Sequence, residues 1–165
     1  GDARGRSEST GSSSHGGAGS AEAAAYDESR YGHKLSKGEH ISINVSDTTA
    51  LKRVPGIGSY YARQVVRLRE RLGGIASTSQ LLEIENFPKE ALPYIHIDGS
   101  NVRRLNVNRL TLQQLKRHPY INYYQARAIT DYRRLHGEIS SIDQLGRMKE
   151  FKPADLQRLA PYLEF

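Results

Sequence analysis

Val54-Pro55-Gly56-Ile57-Gly58 is the stretch that decides how this chain folds. Ahead of it, Ala50-Leu51-Lys52-Arg53 reads as the end of a short basic helix, and Tyr60 to Leu72 behind it reads as a longer one. The proline fixes φ and stops the first helix. The two glycines open positive φ and remove Cβ atoms. Ile57 between them can turn inward and pin the turn to a core. A short row of backbone N–H groups is left outside, at a helix start, with no side chains over it. Such a row accepts an anion, because the first amides of a helix lack intrahelical partners and the dipole favours negative charge. For a basic protein the natural anion is a nucleic-acid phosphate.

The chain is basic, but not evenly so. It has 165 residues, a formal net charge of +6 and a pI near 9.6, which bounds it to one or two small domains. Residues 1–38 carry five basic and five acidic groups, and residues 39–100 carry seven of each. Residues 101–165 carry twelve basic against six acidic, so the whole excess lies there. No run approaches the ~18 apolar residues that span a membrane. No signal peptide is visible, and the start at Gly1-Asp2-Ala3 without methionine is expected of a trimmed sequence whose upstream signal or anchor lies outside it. Zero cysteines exclude disulfides and thiolate metal sites. The six histidines (15, 33, 40, 96, 118 and 136) have no ligand spacing, so neither a metal nor a cofactor is expected.

Residues 1–38 hold few core-forming side chains and read as a flexible Gly/Ser/Ala-rich tail or linker. Within it, Ser20 to Tyr26 has the composition of a short helix, and Tyr26, Tyr31 and Leu35 are the points by which it would dock.

The body repeats itself at a shift of 64 residues with no gap. Pro119 falls on Pro55, Leu115-Lys116-Arg117 on Leu51-Lys52-Arg53, and Ala126-Arg127 on Ala62-Arg63. Asn108, Gly137, Ile139, Ser141, Gln144-Leu145, Phe151 and Leu156 likewise fall on Asn44, Gly73, Ile75, Ser77, Gln80-Leu81, Phe87 and Leu92. A shift kept over that length means two copies of one supersecondary unit. In each copy an extended lead-in (Ile41 to Asn44, Leu105 to Asn108) reaches a helix cap, Asp47 or Thr111. Thr111 to Gln114 fits a capping box. A short helix, the turn (55–58 or 119–122) and a second helix to Leu72 or His136 follow. Val65, Leu68 and Leu72 share one helical face, as do Ala128, Ile129, Tyr132 and Leu135. Gly73-Gly74 and Gly137 close the second helix. Ser77 or Ser141 starts a third, and Phe87 or Phe151 plugs the turn before a fourth. The expected fold is all-α, with about four short helices per unit, in units spanning 39–98 and 99–165.

Residues 41–96 resemble the helix-hairpin-helix DNA-binding domain of ComEA-type competence proteins. The resemblance rests on Ile43-Asn44-Val45, Asp47, Leu51, Val54 to Gly58, Ala62, Arg69, Gly73 and Ser77…Leu81-Leu82. Residues 105–163 match its framework but not its hairpin. The resemblance implies sequence-independent binding of duplex DNA, with hairpin amides on phosphate oxygens. It also implies a role in DNA uptake at the bacterial cell surface or in the periplasm, with any membrane anchor outside this sequence. The departures are specific. The positions of a second glycine hairpin hold Asn86 and Pro88 in copy one and Glu150 and Lys152 in copy two. Tyr120 and Asn122 stand in copy two where copy one has Gly56 and Gly58. Only one of four hairpins keeps an anion-binding form.

The residues expected to bind DNA are therefore Pro55, Gly56, Ile57 and Gly58, with Lys52, Arg53, Arg63 and Arg67 beside them and Lys116, Arg117 and Arg127 in copy two. Arg63, Arg67 and Arg71 lie four apart on one helix face, and Arg71 is read as a solvated partner of Glu70. The wider basic excess of copy two also includes Arg103, Arg104, Arg109, Arg133 and Arg134. Asn44 and Asn108 are expected to tie the lead-in to the backbone, and His118 to be a helix end. Catalysis finds no motif. Asp131 and Lys149 are the residues nearest to the catalytic aspartate or lysine that some glycosylases carry after this hairpin, and nothing places them in a pocket. A small-molecule substrate is not expected. A second reading stays open: a protein-interaction scaffold that has largely lost DNA binding and presents Tyr120, Tyr123 and Tyr124 to a protein partner, with the Gly56–Gly58 turn blocked.

Overall fold

The computed structural model describes residues 25–28 and 32–165. The Ser20–Tyr26 helix and the Tyr31 docking point therefore lie wholly or largely outside the described residues. Of the other two docking points, Tyr26 is half-buried with its ring 4.3 Å from Lys34 Nζ, and Leu35 is buried, its amide donating to Arg53 O at 2.8 Å.

The fold is all-α with two short strand pairs, and both units follow one plan. The first runs β1 (Ile41–Ser42), α1 (Thr48–Leu51), the 55–58 turn and α2 (Ser59–Leu72). It continues through 3-10 helices at Thr78–Glu83 and Lys89–Tyr94 to β2 (Ile95–His96). The second runs β3 (Leu105–Asn106), α3 (Leu112–Lys116), the 119–122 turn, α4 (Tyr123–His136), α5 (Ile142–Gly146) and α6 (Pro153–Leu159). A 3-10 turn at Ala160–Tyr162 leads to β4 (Leu163–Glu164). β1 pairs in parallel with β2, Ile41 opposite Ile95, and β3 with β4, Leu105 opposite Leu163. Each unit thus starts and ends at one seam. Two-residue strands carry too little pattern to be read from sequence.

Local chemistry explains the elements. Asp47 caps α1 by accepting from Ala50 N at 2.8 Å, and Thr111 and Gln114 form the expected capping box on α3. Ser77 and Ser141 are N-caps, each boxed with the glutamine three residues on. In unit one the last two helical segments are 3-10 rather than α. One follows Pro88 and contains Pro93, and the other opens on Thr78-Ser79, poor α-formers. Asn44 and Asn108 do the same work in both units. Each side chain donates to and accepts from one backbone residue 31 positions on, Ile75 or Ile139, at 2.7–2.9 Å.

One core runs through both units, from Leu35 to Leu163. Val65, Leu68 and Leu72 are buried as expected, and Phe87 and Phe151 plug their turns. On α4 the buried face is instead Gln125, Ala126 and Ile129. Leu135 is 63% exposed, because that face turns toward α3 and leaves Leu135 on the solvent side. Gly74 lets the connection between units pass close by. A Cβ there would stand 2.9 Å from Asn101 O and 3.0 Å from Val102 Cα, and its φ is +118°.

Candidate nucleic-acid interface

The first hairpin is built as its sequence asks. Val54 and Ile57 are buried, and Ile57 N donates to Val54 O at 3.0 Å, which closes the turn. Ile57 is thus the pin of the turn, and its amide is already used. Gly56 is exposed with φ +93°, a conformation that L side chains rarely adopt. Gly58 is the N-cap of α2 with φ −106° and supplies no side-chain cap. Among the described residues no hydrogen bond reaches the amides of Gly56 or Gly58. This leaves donors at a helix N-terminus open to an anion. One acidic group stands nearby: a Cβ on Gly56 would lie 3.1 Å from Glu90 Oε1.

The matching turn of unit two has been closed by its own side chains. Asn122 occupies the Gly58 position, accepts from Gln125 N at 2.8 Å, and donates its own amide to Gln125 Oε1 at 3.0 Å. Gln125 is buried and also donates to Glu150 O. The helix start that could take a phosphate is satisfied internally.

Tyr120, in the Gly56 position, does not face outward at all. It is buried against unit one, donating to Glu83 Oε2 at 2.6 Å and accepting from Gln80 Nε2 at 3.0 Å. Gln80 Nε2 also donates to Tyr162 Oη at 2.8 Å, and Tyr162 in turn donates to Gly74 O at 2.8 Å. The Arg158 guanidinium covers the Tyr120 ring at 4.0 Å. Burial first, then the Glu83 contact, pushes the Tyr120 phenol up to about 12. The expected Tyr120–Tyr123–Tyr124 surface is therefore corrected. Only Tyr123 and Tyr124 are exposed, edge to face at 5.5 Å, because the second hairpin is the contact between units.

His118 is more than a helix end. It is buried, its Nδ1 accepts from Tyr120 N at 3.1 Å, and its Nε2 lies 2.9 Å from Leu72 O across the junction. Gln80, His118 and Tyr162 were missed as a group by sequence reasoning, since no local pattern announces a contact between residues 40 to 88 positions apart.

The basic side chains expected at the site divide. Lys52 and Arg53 flank the turn, with the Arg53 guanidinium donating to His33 O at 3.0 Å. Arg63 and Arg67 are exposed on α2, and neither forms an ion pair among the described residues. Arg127 is paired with Asp131 at 3.5 Å, and Arg134 reaches the same carboxylate at 3.6 Å. Lys116 leans toward the Tyr123 ring at 5.8 Å. Arg117 lines a cleft of about 430 Å³ between the units with Glu70, Arg71 and Arg103. Arg71 makes no ion pair with Glu70 among the described residues. Two other arginines are structural: Arg69 donates to Ile43 O and Ser46 O, and Arg133 to Val107 O and Leu110 O, at 2.5–3.1 Å. Arg104 donates to Leu163 O at 3.0 Å.

Comparison with known proteins matches the helix-hairpin-helix motif at residues 36–96 and again at residues 100–164. It does not single out the competence type. The relatives found include "Endonuclease/exonuclease/phosphatase family domain-containing protein 1" of mouse and of rat, each 25% identical over 73% of this chain. The human protein of that name is 24% identical over the same share. The chain spans about a quarter of the length of these relatives, 27%. No solved structure matches it significantly. Among the described residues no helix is long and apolar enough to cross a membrane.

Proposed function

The chain belongs to the helix-hairpin-helix motif family through both of its halves, and on that premise we propose that it is a non-enzymatic module binding duplex DNA without regard to sequence. The first hairpin is the clamp in this reading. Its support is the contrast between the two hairpins: the first presents uncapped Gly56 and Gly58 amides, whereas the second is capped by Asn122 and buried through Tyr120. Phosphate oxygens would meet the Gly56 and Gly58 amides, with Lys52, Arg53, Arg63 and Arg67 alongside. Unit two adds attraction through its twelve basic groups against six acidic ones and holds unit one in place. Base contacts play no part, so affinity falls as salt rises, each neutralised phosphate adding ~0.9 to the log–log slope. The Glu90 carboxylate beside Gly56 opposes a phosphate at that end of the turn. A part in DNA uptake remains a proposal resting on the resemblance alone.

The test is fluorescence anisotropy of an arbitrary-sequence duplex at several salt concentrations, with the intact protein beside Gly58→Glu. Gly58 has a φ that any residue adopts, so the substitution adds a carboxylate without straining the backbone. Affinity should fall by about tenfold or more, ~1.4 kcal/mol or above. Unchanged binding would remove the first hairpin from the mechanism and leave the basic second unit to carry it.

The relatives favour one further setting. They are named for an endonuclease/exonuclease/phosphatase domain, and this chain corresponds to about a quarter of their length, 27%. In a longer chain the same clamp would hold DNA for such a domain.

A further inference from the structure

Lys34 lies two residues before the first residue matched by the family, and its ammonium is turned into the back of the first hairpin. Nζ donates to Lys52 O at 2.5 Å, to Val54 O at 3.3 Å and to Ile57 O at 3.3 Å. It also stands 4.3 Å from the centre of the Tyr26 ring. An ammonium has three donors, and here three backbone oxygens surround it. The chain on either side is laced to the same place: Leu35 N donates to Arg53 O, and Arg53 Nε donates to His33 O.

We propose that Lys34 is the built-in cation of the first hairpin, a positioning residue that gathers its carbonyls and strengthens the Gly58 amide as a phosphate donor. The inference rests on the hairpin being the phosphate site. Ile57 C=O and Gly58 N–H belong to one planar trans peptide and point in opposite directions. An ammonium on the oxygen side therefore leaves the N–H side open to an anion. A hydrogen bond from a charged donor is stronger than a neutral one, and hydrogen bonds joined through one peptide polarise each other. The second unit shows the contrast. The 64-residue shift puts Asp98 in the place of Lys34, and Asp98 accepts instead from Ser100 N and Oγ. Among the described residues no side chain donates to the corresponding carbonyls of Lys116, His118 and Ile121. Among the described residues, the hairpin whose amides make no hydrogen bond has the cation, and the one with capped amides lacks it.

Removing the ammonium leaves three converging carbonyl oxygens, an arrangement that can replace the water shell of a small monovalent cation. The test is Lys34→Met, with duplex binding measured in potassium chloride and in tetramethylammonium chloride at equal ionic strength. The intact protein should bind alike in both. Lys34→Met should lose about fivefold or more in tetramethylammonium, in line with a lost charge-assisted donor, and recover part of it in potassium. Without any DNA, the Gly58 amide proton resonance should move upfield in the variant, and the variant alone should melt higher in potassium than in tetramethylammonium. Binding equal to the intact protein in both salts would overturn the proposal. So would an equal loss in both salts with an unmoved Gly58 resonance. If the intact protein bound no DNA, the proposed function would fall, while the resonance and the salt-dependent melting would still decide the role of Lys34. Should Lys34→Met not fold, Lys34→Arg keeps the charge but cannot aim three donors at one point. Its Gly58 resonance should then shift upfield to a lesser degree, and an unmoved one would count against the proposal.

Discussion

The His118 ring is bonded through both nitrogens, to the Tyr120 amide and to Leu72 O, so its partners assign the neutral form with the proton on Nε2. Burial lowers its pKa below the ordinary value near 6.5; the Leu72 contact pulls the other way, and the charge of Arg158 adds to the lowering. The folded state therefore resists a proton that the unfolded chain accepts. The stability this contributes is complete above about pH 6.5 and is lost as pH falls from there toward the lower folded-state value. Protonation would also leave the Tyr120 amide without its acceptor. Urea midpoints measured from pH 7.5 down to pH 5 should decline, with a slope of at most ~1.4 kcal/mol per pH unit from this one group. His118→Phe should flatten that decline, and an unaltered slope would show that other groups cause it. In the sequence His118 looked like the end of a helix, because its partner across the junction, Leu72 O, lies 46 residues away.

Helices α2 and α4 have the same length and the same place in their units, yet their N-caps differ, Gly58 against Asn122, and Gln125 stands where α2 has Tyr61. A glycine cap leaves the first amides open, whereas asparagine bonds one of them and, with Gln125, completes a box. Asn122→Ala should therefore cost ~1 kcal/mol of stability, read from denaturation midpoints, and leave DNA affinity unchanged. A loss of affinity out of proportion to that destabilisation would return the second hairpin to the binding surface. This difference was legible in the sequence as a glycine replaced by asparagine. That Gln125 completes the closure, and that it is itself held by Glu150 O, needed the folded chain. The arginine pair Arg69 and Arg133 is similar. In the sequence Arg133 counted toward the basic excess of copy two, whereas both guanidiniums hold lead-in carbonyls of their own units.

The two units are joined by a small polar network inside an aromatic cluster. Gln80, Tyr120, Tyr162 and His118 meet there, with the His118 and Tyr162 rings 4.8 Å apart and the Tyr120 and Tyr162 rings 5.9 Å apart. Tyr162 is fully buried, and its hydroxyl both accepts from Gln80 and donates to Gly74 O. Removing only that hydroxyl leaves a buried carbonyl without its donor and the Gln80 amide short of an acceptor, so Tyr162→Phe should cost ~1–3 kcal/mol. Tyr162→Ala adds the loss of the ring and its packing, ~3–5 kcal/mol. Because one core runs through both units, the intact chain should unfold in a single transition, coincident by far-ultraviolet and near-ultraviolet circular dichroism. In Tyr162→Ala the two signals should separate. Coincident curves at an unchanged midpoint would mean that the junction does not couple the units.

The sequence by itself determined the all-α class, the two copies, their helix starts and stops, and the one hairpin with glycines at both exposed positions. These follow from local chemistry, since caps, glycine conformations and helical periodicity act within a few residues. The tertiary structure alone decided that each unit closes on a parallel strand pair, that the second hairpin is buried against the first unit, and that Lys34 stands behind the hairpin carbonyls. Those contacts join residues from 18 to 88 positions apart. Side chains such as tyrosine and lysine are suited equally to a surface and to a buried hydrogen bond. Only the packed chain, by supplying or withholding partners, settles which of the two they take.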